Sequence, residues 1–456
     1  MLVGQFAGPP GIFSYSIDPL ASEPAVPRQL TTTPGGKGSV QYSADGKEVW
    51  FVEAGRVTSV TIDTRAARTV AFRAALDVDA ATERMAAFEE GWSYQRDGFY
   101  DARMHGVDWN AVRARFAPQV AGARTADEFR RLMNLMVGEL NASHSGASGP
   151  PAQAPFTGRI GARFSRAAYD ADGRFVISEI IAQSPLATAT SVRVGETLVA
   201  LNGVRLTRTS NLDSLLAYTT STRVTLRIAT TAGVERDITL RPVSAATEKA
   251  LLYRQWVEER RAYVAKASNG RLGYVHLFDM GQGSLDQLFL DLDAENQGRD
   301  GIVVDVRNNN GGFVNAYALD VFARRPYMTM TPRDQPSAPA RLQLGQRSFD
   351  RPAVLVTNQH SLSDAEDFTE GWRALKLGPV VGEPTSGWII YTSSAQLVDG
   401  TSLRMPFIRI QGADGKDMEL VPRPVDRLVV RPVGEAYTGR DSQLDAAVAT
   451  LLGTMR

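Results

Sequence analysis

Residues 353–368 read Ala-Val-Leu-Val-Thr-Asn-Gln-His-Ser-Leu-Ser-Asp-Ala-Glu-Asp-Phe. The first five are a short apolar run with β-branched residues, the pattern of a strand buried on both faces. A polar turn follows, and Asp364, Glu366 and Asp367 then stand where the positive end of a helix favours acids. Ser363 sits at the strand-to-helix junction, and two readings fit it. As an N-cap, its hydroxyl would satisfy a backbone N–H of the first turn. As a nucleophile, it would project from a sharp turn beside N–H groups able to receive an oxyanion. The choice depends on partners elsewhere in the chain.

Residues 246–456 around this stretch alternate strands and helices. Gly273-Tyr-Val-His-Leu is followed by a polar helix and Gly301-Ile-Val-Val-Asp-Val-Arg, then by a glycine turn and a helix from Val314 to Arg324. The strand at Ala353 and a helix containing Trp372 come next. This alternation predicts an α/β domain with a mainly parallel sheet. Ser363 then lies at the carboxyl end of a strand, where open α/β sheets place their sites.

Three segments precede that domain. Residues 1–73 are strand-like, with turn signals at Pro34-Gly35-Gly36 and Ala44-Asp45-Gly46-Lys47. Tyr42-Ser-Ala-Asp-Gly-Lys-Glu-Val-Trp-Phe resembles one β-propeller blade motif. A closed ring needs about four blades or more, so the expectation is the terminal blade or blades of an incomplete propeller. Met1–Pro10 has neither a basic n-region nor a long apolar core, so it is no signal peptide; it reads as a cut through a longer protein.

Residues 74–152 switch to helical periodicity, as in Glu83-Arg-Met-Ala-Ala-Phe and Glu128-Phe-Arg-Arg-Leu-Met. That helical domain ends at the Gly- and Pro-rich segment 138–151, which carries His144. Residues 153–245 return to short strands. Gly158-Arg-Ile-Gly-Ala-Arg-Phe and Gly195-Glu-Thr-Leu-Val-Ala-Leu-Asn-Gly-Val resemble the carboxylate-binding loop and the turn-strand signature of a PDZ domain. Such domains take up extended peptide ends by strand addition, or serve as spacers.

The 456 residues suggest roughly three domains. Fifty Lys and Arg balance fifty Asp and Glu, which gives no reason to expect a nucleic-acid or anionic-membrane partner. Without cysteine there is no disulfide, thiolate metal site or thiol nucleophile. No apolar run approaches the roughly twenty residues of a membrane span.

A serine nucleophile needs a base, and the chain has four histidines. His105, flanked by turn residues, reads as a solvated loop histidine and His276, inside an alternating strand, as structural. His360 is constrained by the turn before Ser363 but is not excluded. His144, on an irregular segment after Asn141-Ala-Ser, is the leading candidate. For the oxyanion, Asp305-Val-Arg-Asn-Asn-Asn-Gly-Gly-Phe offers the N–H of Gly311 or Gly312. A phosphate cradle is the alternative for such a turn, but no Gly-x-x-x-x-Gly-Lys-Ser/Thr loop is present.

Taken together, the order of segments resembles the C-terminal half of the tricorn proteases, within the C-terminal-processing class of serine peptidases. Trp256-Val-Glu, Gly273-Tyr-Val-His-Leu-Phe-Asp-Met-Gly, Val304-Asp-Val-Arg and Ser361-Leu-Ser-Asp match as well. The resemblance implies a multidomain α/β protein: a propeller end, a small helical domain, a PDZ-like β domain and a ClpP/crotonase-like α/β catalytic domain. By the same resemblance Ser363 is the nucleophile and His144 the base. Glu419, seven residues before Asp426, bonds Ser143, which orients His144. The N–H groups of Gly312 and Asp364 form the oxyanion hole, and Gly311, Gly387 and Trp388 border the substrate.

Several residues depart from the pattern. Asn310 replaces a glycine, and Gly387-Trp388 replaces a Gly-Gly where substrate backbone passes. Pro422 and Val425 alter the loop after Glu419. The region from Arg324 to Pro332 lacks the acid that reads a basic substrate residue, so an apolar residue is expected there. The implied enzyme needs no metal or organic cofactor, acts on peptides and forms homo-oligomers, as hexamers. It is cytoplasmic, or periplasmic if a leader preceded this sequence. A binding protein that does not cleave its ligand and an esterase of small acyl compounds are the rival readings.

Overall fold

The strand read from Ala353–Thr357 is the middle one of five in a parallel sheet, in the order Leu272–His276, Gly301–Asp305, Ala353–Thr357, Val380–Gly382, Arg427–Leu428. This is a computed structural model that describes residues 3–4, 11–18, 20, 26–33, 35–73, 75, 77–150, 156–189, 191–295, 298–325, 327–339, 349 and 351–455. Most of Met1–Pro10, Pro34 and residues 151–155 therefore lie outside the described residues.

Because successive side chains of a strand point to opposite faces, the apolar runs supply two cores at once. Ile302, Val304 and Leu355 pack with helices Gln282–Glu295, Asn315–Ala323 and Asp364–Ala374. Val303, Val354 and Val356 pack with helices Ala245–Ala267 and Ser442–Thr454. The helix predicted from Val314 to Arg324 is one residue shorter at each end.

A buried charge cluster anchors the carboxyl end of the sheet. Arg307 pairs with Asp305 at 2.7 Å and with Asp441 at 2.9 Å, Tyr274 Oη donates to Asp305, and the Arg307 carbonyl is 3.0 Å from His276 Nε2. Each buried charge is thereby paired and hydrogen-bonded, the condition for tolerating it. The glycine turn starts just after this anchor.

Residues 156–245 carry an antiparallel sheet in the order Glu235–Leu240, Val224–Ala229, Thr197–Leu201, Phe175–Ile180, Ala162–Phe164. The helical segment consists of Ala80–Gly98, Trp109–Gly122 and Ala126–Gly138. Asp108 caps the second helix and a Thr125–Glu128 capping box opens the third. Helix therefore begins at Ala80, six residues later than the periodicity suggested.

The helical and α/β segments share a sheet. Gly146–Ser148 pairs antiparallel with Ser402–Ile408, matching Ser148 to Ser402, Ala147 to Leu403 and Gly146 to Arg404; Ser402–Ile408 is itself in a hairpin with Tyr391–Gln396. Leu397 and Leu403 from that hairpin are buried among Phe88, Trp92, Met133 and Met136 of the helices.

Met1–Asp79 forms a separate compact unit. It contains a four-stranded antiparallel meander, Lys37–Tyr42, Glu48–Glu53, Arg56–Thr61 and Ala67–Thr69. The Asp-Gly turn joins the first two of these strands, with Gly46 at φ 68°. Ile12, Leu30, Val49, Phe51 and Val60 form its core. Among the described residues no helix is long and apolar enough to cross a membrane.

Leu403 is fully buried where the hairpin enters the helical core. Leu403→Ala should destabilise the protein by about 2–5 kcal/mol, measured by denaturant unfolding; a loss below about 0.5 kcal/mol would mean that this contact does not hold the two segments together.

Candidate active site

Ser363 has φ 57° and ψ −124°, and its side chain makes no capping hydrogen bond. The N-cap reading is therefore not the one realised: the serine occupies the cap position but leaves its hydroxyl uncommitted. A non-glycine residue in this region carries about 1–3 kcal/mol of strain and persists only when its surroundings hold it there. Here Ser363 N–H donates to the Trp388 carbonyl at 3.0 Å, Glu366 N–H donates to the Ser363 carbonyl at 2.7 Å, and Leu362 N–H donates to the Asn309 carbonyl at 2.8 Å.

The glycine turn closes against this serine. A Cβ on Gly311 would fall 2.5 Å from Ser363 Cβ, and one on Gly312 would fall 2.0 Å from the Met280 carbonyl oxygen. Of the two candidate oxyanion donors left open by the sequence, Gly311 is already spent, since its N–H donates to Asn309 Oδ1 at 2.9 Å. The N–H groups of Gly312 and Asp364 have no hydrogen-bond partner among the described residues. Asn310 is exposed and does not take a positive φ, so its backbone conformation does not require a glycine.

On the helical side, Glu419 reaches Ser143 across 276 residues of sequence. Glu419 Oε1 accepts from Ser143 N–H at 2.7 Å and Oε2 accepts from the Ser143 hydroxyl at 3.1 Å. The single hydroxyl proton being used there, Ser143 Oγ must accept from His144 Nδ1, 2.8 Å away. Nδ1 therefore carries the imidazole proton and Nε2 keeps its lone pair. Burial and the Arg404 guanidinium push the His144 pKa down to about 4, because both disfavour the cation. No hydrogen bond joins His144 Nε2 to Ser363 Oγ in this structure. Such contacts often tighten only in the substrate complex.

Segment 387–389 ties the two halves. Gly387 and Trp388 donate their N–H groups to Glu366 at 2.8 and 2.7 Å, and Ile389 N–H donates to Glu419 Oε2 at 3.0 Å. The Gly387 carbonyl accepts from Leu420 N–H. The edge expected to receive substrate backbone at Gly387-Trp388 is therefore already paired, and these residues do not offer an open strand. Trp388 is instead about half exposed. Phe313, next to Gly312, is 75% exposed and meets Tyr391 edge-on at 6.0 Å.

The first-turn acids have tasks the sequence did not reveal. Glu366 is fully buried and also accepts from Thr385 Oγ1 at 2.7 Å; Asp364 accepts from Asn315 N–H at 3.0 Å. Asp367 is pushed up to about 7 by burial and by the neighbouring charge of Asp364, against a hydrogen bond with the Tyr391 side chain, and its Oδ2 is buried with no partner among the described residues. Glu366, Asn309 and Asn315 read from sequence only as turn or helix-end residues.

The remaining histidines make no hydrogen bond to Glu419, Ser143 or His144. His276 is buried between Tyr253 Oη at 2.8 Å and the Arg307 carbonyl, and His360 is exposed. His105, read as a solvated loop histidine, is exposed and is also hydrogen-bonded at both ring nitrogens. Among the described residues no cluster of His, Asp and Glu could hold a metal ion.

Residues 271–422 match the model of peptidase family S41, residues 80–138 that of the tricorn protease C1 domain, and residues 158–245 that of the tricorn protease PDZ domain. Tricorn protease homolog 1 of Streptomyces coelicolor is 33% identical, over 92% of this chain and 41% of its own. The tricorn protease of Thermoplasma acidophilum is 25% identical, over 82% of this chain and 35% of its own. A crystal structure of the tricorn protease superposes with a TM-score of 0.82 at 23% identity, covering 95% of this chain and 42% of that one; the two share a fold. The chain spans about two fifths of the length of these curated relatives.

Asp367 gives a stability test. Its folded pKa lies above the ordinary 3.8, so the wild type loses stability as pH rises from about 4 to about 7, where the unfolded carboxyl ionises first. Asp367→Asn should therefore gain stability relative to wild type across that window and no more above it, read from Tm at stepped pH. A constant difference at every pH would refute the shift.

Proposed function

Because the chain resembles the C-terminal part of the tricorn proteases along nearly its whole length and carries a domain matching peptidase family S41, we propose that it is a serine peptidase that cleaves peptides through an acyl-enzyme. The observation that carries this reading is the convergence at one strand end. A serine with an uncommitted hydroxyl, held in a strained turn, stands near the N–H groups of Gly312 and Asp364, which have no partner among the described residues.

In this mechanism Ser363 Oγ attacks the peptide carbonyl while His144 Nε2 takes its proton. Ser143 holds the Nδ1–H tautomer and Glu419 holds Ser143; the carboxylate stabilises the imidazolium through the intervening hydroxyl. The Gly312 and Asp364 N–H groups receive the oxyanion. Collapse of the tetrahedral intermediate passes the proton from His144 to the leaving amine, and water then repeats the sequence on the acyl-enzyme, returning Ser363 and the acid product. No step calls on a metal or organic cofactor.

The exposed aromatic rings of Phe313 and Trp388 favour apolar side chains near the scissile bond. The proposal extends to the meander of the first unit as a propeller-type blade, to assembly as rings of six and to a cytoplasmic setting; all three rest on the resemblance. A non-cleaving binding protein and a small-acyl esterase are separated from it by fluorophosphonate labelling run beside peptide and ester turnover.

Ser363→Ala should lower peptide turnover on the order of a millionfold and abolish labelling while leaving the thermal transition in place. Turnover above about a tenth of wild type would remove Ser363 from the nucleophile's role.

The pH profile is the second check. A histidine base works when neutral, and an unperturbed one would give a limb near pH 6.5. The His144 pKa is lowered to about 4, so the base is already neutral well below pH 6 and activity is lost only as pH falls through about 4. The acylation rate should be flat between about pH 6 and 8 and fall below about 5. A limb centred near 6.5 that disappears in His144→Ala would show that burial does not depress this group.

A further inference from the structure

His105 lies in the three-residue helical turn Met104–Gly106, with φ 54° and ψ 25°. Asp101 ties this turn by accepting from the N–H groups of Arg103 and His105, both at 3.2 Å. The ring is held edge-on against Phe99 at 5.1 Å and Tyr100 at 5.2 Å. Its Nδ1 is 2.7 Å from the Leu140 carbonyl and its Nε2 is 2.5 Å from Tyr100 Oη. A carbonyl can only accept, so Nδ1 carries the proton and the Tyr100 hydroxyl donates to Nε2. Burial and the charge of Glu419 push the Tyr100 pKa up to about 12, which keeps that hydroxyl protonated.

The position of Leu140 gives this brace its meaning. Leu140 is fully buried just past helix Ala126–Gly138, where carbonyls lack helical partners, and it precedes Ser143 by three residues. Between them the chain turns sharply, with Asn141 at φ 44°, and His144 follows at φ 61°. Tyr100 is joined in turn to the domain-crossing hairpin, its N–H donating to the Pro406 carbonyl at 3.3 Å. A cleft of about 530 Å³ is bordered by Tyr100, His105, Asp417 and Glu419. The same pair therefore touches the start of the base-bearing turn and the wall beside the relay carboxylate.

We propose that His105 is a positioning residue: by donating to the Leu140 carbonyl it sets the turn that presents Ser143 and His144 to Glu419. Its effect on turnover rests on the peptidase reading, whereas its effect on the His144 environment does not. Two substitutions separate the ring's hydrogen bond from backbone strain, because Asn and Gly both accept the left-handed conformation. His105→Asn retains an N–H donor near Nδ1, and His105→Gly removes it.

The measurements are kcat and KM on a fluorogenic peptide, the fluorophosphonate labelling rate of Ser363, and the NMR titration of the His144 imidazole. His105→Gly should lower kcat and the labelling rate on the order of ten- to a hundredfold, since small misplacements of catalytic groups cost that much, with KM within about twofold. Its His144 titration should move up toward the ordinary histidine range as the turn loosens. His105→Asn, which keeps the donor to Leu140 but loses the Nε2 acceptor of the Tyr100 hydroxyl, should lie between wild type and His105→Gly in all three. Tyr100→Phe, which removes only the hydroxyl, should shift kcat and the titration in the same direction as His105→Gly by a smaller factor, and it serves if the glycine variant does not fold.

Wild-type kcat and titration in His105→Gly, or an equal loss in His105→Asn, would overturn the assignment. A wild-type protein that neither labels nor cleaves would refute the peptidase reading instead, and the His144 titration would still decide whether the brace exists.

Discussion

A single buried carboxylate, Glu419, holds the two halves of the site in register. It is almost fully buried, and such a charge is tolerable only when its oxygens are hydrogen-bonded. Its donors are the N–H and hydroxyl of Ser143 and the N–H of Ile389, drawn from the helical segment and the α/β segment. Neither segment alone could satisfy it. The domain-crossing strand pair at Gly146–Ser148 supplies the geometry, and Leu397 and Leu403 supply the apolar burial that keeps that geometry in place.

Glu366 repeats the device on the nucleophile side. It takes the N–H groups of Gly387 and Trp388 and the Thr385 hydroxyl, so the segment between the two carboxylates is latched at both ends. Ser363 N–H closes the circuit on the Trp388 carbonyl. A strained serine conformation can persist there because the strand behind it, the glycine turn beside it and the latched segment above it leave no room for relaxation.

The same hydrogen-bond accounting marks out where chemistry can occur. The N–H groups of Ser363, Leu362 and Gly311 are paired, whereas those of Gly312 and Asp364 have no hydrogen-bond partner among the described residues. Under the proposed peptidase reading, these last two are the donors that would meet a substrate oxygen.

What was legible in the sequence followed from local burial. Strands buried on both faces read as continuous apolar runs, so the parallel sheet came from the alternation of such runs with helical segments across 246–456, and the strand-end location of Ser363 from the run at Ala353–Thr357. His144 could be singled out because only four histidines exist and three sat in less suitable surroundings. What the chain could not disclose was how donors and acceptors are shared out across hundreds of residues. That Gly311 spends its N–H on Asn309 while Gly312 does not, that Gly387 and Trp388 are already paired, and that His105 is tied to Leu140 are all decisions of tertiary contact. Apolar periodicity reports which way a side chain faces, whereas a hydrogen bond's partner is selected by the few atoms that the finished packing brings within about 3 Å.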